Sequence, residues 1–191
     1  MAATDTKNLS GKAWWKANQA KYPNSTKVSD LEAGFRRNVE EFLKALKDAG
    51  AKVTISSTKR NETRAHLMHY SWKLAKGQTT AAQIPKKPGL DIVWDHGDAA
   101  ASKKAAEEMI SRECFNMAYI ASLTSNHISG KAIDMTITWT GTLKIKQKDG
   151  KEIEIKTAPF DGMNTELHKV GKTYKVIKHT TDKPHWSVNG R

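Results

Sequence analysis

The stretch TSNHISGKAIDMTITW, residues 124–139, decides how this chain is read. Its second half reads as a strand, with Ala132 and Asp134 on one face and Ile133 and Met135 on the other. Ser129-Gly130-Lys131 supplies a turn, which leaves His127 in a loop seven positions before Asp134. That spacing does not put two ligands on one helical turn. It suits a loop histidine followed by a strand carboxylate. A carboxylate on a largely apolar strand is costly to bury alone, so Asp134 needs a cation, a metal or a cap. From spacing alone, an ordinary core pair and two-thirds of a metal site both remain open.

The closing segment TTDKPHWSV adds His185 in a second strand-like run, three residues after Asp182. A catalytic metal takes three protein ligands and keeps one position open. A nearby carboxylate can then act as a general base. A surface Asp182 with a half-buried His185 is the plain alternative. Pro184 fixes the chain direction between them.

The other elements alternate less ambiguously. Residues 1–28 read as a polar arm or short helix bearing Trp14, Trp15 and Tyr22, and 29–191 as the main domain. In SDLEAGFRRNVEEFLKALKDAG, Leu31, Phe35, Val39, Phe42, Leu43 and Leu46 share one helical face, Ser29 and Glu32 form an expected capping box, and Gly50 suits the C′ position. Residues 51–57 read as a strand, 61–76 as a helix capped by Asn61 and stopped by Gly77, and about 98–115 as a third helix. Leu143, Ile145, Ile153 and Ile155 alternate with charges around Asp149-Gly150, the pattern of a hairpin. A short helix near 164–172 and strands in TYKVIKH and HWSV close the chain. Helices precede largely antiparallel strands, so the expected class is α+β.

With 191 residues and 38% apolar composition, the chain can bury a real core. No apolar run reaches membrane-spanning length, and the N-terminus lacks the apolar core of a secretory signal. The single cysteine, Cys114, forms no internal disulfide and reads as packing. The charge of +12 favours a polyanionic partner, whether nucleic acid, an anionic membrane face or a cell wall bearing teichoic acid or lipopolysaccharide.

Ser125-Asn-His127-Ile-Ser-Gly130-Lys-Ala132-Ile-Asp134 resembles, position for position, the SxHxxGxAxD motif of zinc peptidoglycan peptidases, the group of D-Ala-D-Ala carboxypeptidases and phage L-alanyl-D-glutamate endopeptidases. Asp182-Lys-Pro-His185-Trp186 is similar to that group's acid-x-x-His-Trp segment, and Val53 to Arg60 looks like the strand ending in S-x-x-R that precedes the metal motif. Together these cover about residues 30–188. The resemblance implies a Hedgehog/DD-peptidase-like fold, a largely antiparallel sheet flanked by helices, and one Zn2+ held by His127, Asp134 and His185. It implies Asp182 as catalytic base and Arg60 as a contact for a substrate carboxylate or the developing oxyanion. Ser125 is either a hydrogen-bonding neighbour of the site or a local turn cap, and Trp186 a neighbour of the site or a substrate contact. Two departures stand out. Position 183 is Lys where several relatives have His, and the usual GYR is Thr58-Lys-Arg60, so that Arg64 becomes a candidate to share the role of Arg60. The hairpin at about 142–156 looks like an insertion.

The implied partner is bacterial peptidoglycan, with no nucleic acid, no transmembrane segment and a monomeric protein expected. The implied route is synthesis in the cytoplasm and release to the wall through holin pores or another non-Sec path. A secreted wall-degrading toxin, a D,D-carboxypeptidase, and a catalytically dead wall-binding domain are the near alternatives. A basic nucleic-acid-binding protein is the alternative of another class, but it leaves the metal motif unexplained, and no zinc-finger spacing or RNP-like motif is present. The remaining histidines read first as structural. His66 and His69 lie on a helix without an acid at ligand spacing, His96 sits in WDHGD, His168 and His179 lie near the C-terminal elements, and His179 is placed to approach the site. Trp14 and Trp15 read as an arm packed on the domain, with sugar stacking as the rival.

Overall fold

In a computed structural model, residues 8–191 are described. The expected arm therefore falls partly, at residues 1–7, outside the described residues. Sequence placed one boundary near residue 28. Contacts divide the chain instead at 23/24, 60/61 and 123/124. One unit joins the segment ending at Pro23 with Asn61–Leu123, and the other joins Asn24–Arg60 with Thr124–Arg191.

The first unit is helical: α1 (Lys12–Asn18), α3 (Glu62–Ala75) and α4 (Ala99–Ile110). Its core gathers Trp14, Trp15, Leu67, Leu74, Trp94, Met109 and Phe115. Trp14 and Trp15 are thus buried and not available as a platform for a sugar. Asn61 caps α3 as expected, its side chain accepting from Arg64 N–H at 3.0 Å. Helix α4 begins after its Asp98 cap and ends at Ile110, sooner than residue 115, because the chain turns at Ser111 into an extended conformation.

The second unit contains α2 (Ala33–Asp48), α5 (Thr165–Thr173) and six strands: β1 (Lys52–Ser57), β2 (Ala132–Thr138), β3 (Leu143–Lys146), β4 (Glu152–Ile155), β5 (Ile177–Lys178) and β6 (His185–Ser187). Strands β1-β2-β6-β5 form one sheet in that order, with every pairing antiparallel, and β3-β4 form a separate hairpin. The class is α+β. Ile133, Met135 and Ile137 of β2 enter the core with Phe35, Val39, Phe42 and Leu46 of α2, while Thr136 and Thr138 face outward. The hairpin is as expected, with Gly150 at φ 88° in its turn. Of TYKVIKH only Ile177 and Lys178 pair as a strand.

The capping box moved. Ser29 lies in a 3-10 turn, and Glu32 is itself the cap of α2, its carboxylate accepting from Gly34 and Phe35 N–H, both at 3.0 Å. These bonds, with burial opposing them, hold the Glu32 carboxyl below its usual range.

Candidate metal centre

Three pieces of the second unit build the centre. In the antiparallel pair β2-β6, the register sets Asp134 directly opposite His185. The β1-β2 register shifts between Ile55 and Ser57, leaving Ser56 as an extra residue beside Asp134. The chain beyond that bulge runs along His127 and holds it from both sides. Thr58 O accepts from the ring Nδ1–H at 2.7 Å, and Arg60 N–H donates to His127 O at 2.9 Å. Gly130 completes the loop. Its φ of +69° is left-handed, its carbonyl accepts Glu32 N–H at 2.9 Å, and a Cβ there would lie 2.9 Å from Glu32 N.

The result is a near-equilateral triangle of ligand atoms. His127 Nε2 lies 3.1 Å from Asp134 Oδ1 and 3.2 Å from His185 Nδ1, and His185 Nδ1 lies 3.1 Å from Asp134 Oδ1. A backbone carbonyl can only accept, so Thr58 O holds a proton of His127 on Nδ1, and the neutral ring then bares Nε2. Arg191 O, 3.1 Å from His185 Nε2, does the same at the other ring and bares Nδ1. Two neutral imidazoles and a carboxylate therefore aim three lone pairs at one point. Such an arrangement is stable only around a shared cation, either protons or a metal. Three vertices of a tetrahedron with these edges stand about 1.9 Å from its centre, the length of a short metal–ligand bond. Among the described residues this is the one group of three metal-ligating side chains brought so close. The set can hold a metal ion.

Burial by itself pushes the Asp134 carboxyl up, but hydrogen bonds and charge from His127 and His185 in their protonated form outweigh it, holding the carboxyl far below its usual range. His185 feels burial pulling its pKa down, while Asp134, Arg191 O and the charge of Asp182 raise it on balance. Asp182 is exposed on the turn before β6, and its carboxylate has no hydrogen-bond partner among the described residues. Arg60 is half-buried with Nε buried and unpartnered among the described residues.

Ser125 Oγ accepts from His127 N–H at 3.3 Å, a local cap on the turn that carries this ligand candidate. Trp186 is fully buried, since β6 turns it to the face opposite His185 and into the core against Phe42. Arg64 lies in the first unit, its guanidinium 4.8 Å over the Trp15 ring and 5.7 Å over Phe115, and it donates to Tyr22 O at 3.5 Å. In that unit His69 Nδ1 bonds Ala121 O at 2.8 Å and His96 Nε2 bonds Ser10 Oγ at 3.0 Å. His168 Nε2 bonds Gly162 O at 3.0 Å. His179 accepts the Asp182 amide on Nδ1 at 3.1 Å, with its ring 5.7 Å from that of His185.

Sequence reasoning missed Lys178. It is 5% exposed, and burial lowers its pKa against the opposing carboxylates of Asp182, Asp134 and Asp161. Only its place at the end of a strand-like run hinted at burial. No family model and no curated protein matches the chain, so the site rests on its own geometry. Among the described residues no helix is long and apolar enough to cross a membrane.

Proposed function

We propose that this protein is a zinc-dependent peptidase that hydrolyses an amide bond in the stem peptide of bacterial peptidoglycan, a phage-type endopeptidase of the L-alanyl-D-glutamate class with a Hedgehog/DD-peptidase-like fold. One observation carries the reading: His127, Asp134 and His185 converge within 3.2 Å with both imidazoles locked in the ligating tautomer. Two histidines and one carboxylate are a common ligand set for catalytic zinc, and the implied bond length is near the ~2.0–2.1 Å of zinc to nitrogen or oxygen.

When bound, zinc supplies Lewis acidity, which polarises a carbonyl and brings the pKa of water to about 7. The chain's own residues do the rest. Asp182, unencumbered on its turn, takes the proton of the attacking water and returns it to the leaving amine. The guanidinium of Arg60 grips a substrate carboxylate in two places. The charge of +12 concentrates the enzyme on an anionic wall. Release through holin pores, as for a phage lysin, brings it there.

Mass spectrometry of digested peptidoglycan tests the bond. Fragments cut between L-alanine and D-glutamate are expected. Release of free D-alanine alone would make the enzyme a carboxypeptidase, and tight, salt-sensitive DNA binding with intact wall would overturn the reading.

A further inference from the structure

We propose that Lys178 is a positioning residue: its buried ammonium fixes the turn that carries both the base Asp182 and the ligand His185. The inference rests on the peptidase reading and deepens it.

An ammonium has three donors and no acceptor. Lys178 Nζ lies 2.5 Å from His179 O, 2.5 Å from Asp182 O and 3.2 Å from His185 O. All three donors are used, and all three acceptors belong to the segment that ends in the ligand. Two of these carbonyls also receive backbone bonds, His185 N–H to Asp182 O at 3.1 Å and His179 N–H to His185 O at 3.0 Å. The side chain's stem leaves β5 beside Trp186, with Nζ 5.7 Å from that ring.

A buried charge is retained only when its hydrogen bonds are satisfied, and here they are satisfied by backbone alone. No carboxylate pairs with Lys178 within ion-pair distance among the described residues. Residues 180–183 are exposed, so the turn has little apolar packing of its own to hold it. Lys178 thus substitutes for a core under the turn. At its tip Lys183 reaches Asp161 at 3.0 Å, a solvent-screened contact that adds little.

The test is Zn2+ affinity, measured by competition with a chromophoric chelator, in the wild type, Lys178→Met and Lys178→Gln, together with the visible spectrum of the Co2+-loaded forms. Methionine keeps the apolar stem and removes every donor. Its affinity is expected to fall about 10- to 100-fold, as when a ligand's supporting bonds are lost, with a shifted Co2+ spectrum and unchanged near-ultraviolet circular dichroism. Glutamine offers two donors for three carbonyls and is expected to fall between the two. A folded Lys178→Met protein with wild-type affinity and spectrum overturns the inference. If that variant does not fold, wild-type affinity in Lys178→Gln overturns it equally. Wild-type protein that binds no Zn2+ refutes the metal reading itself, whereas equal Zn2+ binding by all three proteins refutes only the role of Lys178.

Discussion

At the scale of single residues, Asp134 is where structure and chemistry meet most tightly. Its Oδ1 serves both imidazoles at 3.1 Å. Asp134→Asn keeps the shape but presents an amide to the same point, so Zn2+ affinity should fall by at least about 100-fold in the chelator competition, with circular dichroism unchanged. Asp182→Asn should do the reverse. Metal binding stays at wild-type strength while turnover drops by about 100-fold or more, the usual worth of a general base. Normal turnover in that variant removes Asp182 from the mechanism. A third residue tests the first unit alone. His66 is buried, and burial, aided by the charges of Lys87 and His69, lowers its pKa from 6.5 to about 4. The unfolded chain therefore binds the proton more tightly. Stability present above pH 6.5 is lost as pH falls from 6.5 towards 4, on the order of 3 kcal/mol in all. Thermal unfolding between pH 7 and pH 4 should show this slope in the wild type and a flatter one in His66→Leu. Equal slopes would contradict it.

At the scale of elements, the register of β2 against β6 does what two distant motifs do not announce separately: it sets Asp134 beside His185. The ligands were legible through the resemblance of Ser125–Asp134 and Asp182–Trp186 to zinc-peptidase motifs, since the spacing of His127 and Asp134 alone also fits an ordinary core pair. The hairpin was legible because Asp149-Gly150 and the alternation of Leu143, Ile145, Ile153 and Ile155 agree. Capping of α2 was misread because Ser29 and Glu32 satisfy the same pattern that a lone Glu32 cap produces one turn later. Lys178 was illegible because 32 basic residues look alike until burial singles one out. Gly130 tests the loop. Gly130→Ala forces a left-handed φ on a residue with Cβ and sets that Cβ 2.9 Å from Glu32 N. Denaturant unfolding should show a loss of about 2 kcal/mol or more, and zinc affinity should fall with it as His127 shifts. Unchanged values for both would show that the turn is not what aims the histidine.

At the scale of the whole molecule, the chain leaves the unit that holds His127, Asp134 and His185 at Arg60 and returns at Thr124, and the stretch between joins the segment ending at Pro23 in a helical unit with its own core. Sequence did not show this, because no glycine- or proline-rich linker or shift in composition marks either crossing. The charge of +12 also belongs to this scale. Binding to isolated cell walls should weaken as ionic strength rises and the Debye length shrinks below about 10 Å, while metal affinity stays constant. Salt-independent wall binding would show that charge is not what draws this protein to a wall. Metal-dependent hydrolysis at one centre is tested most directly by the appearance of new amino groups in purified peptidoglycan. Release is expected from the zinc-loaded protein, none after chelation, recovery when zinc is restored, and none from Asp134→Asn. Peptidoglycan left uncut by protein shown to hold one zinc, or cut equally well after chelation, would contradict it.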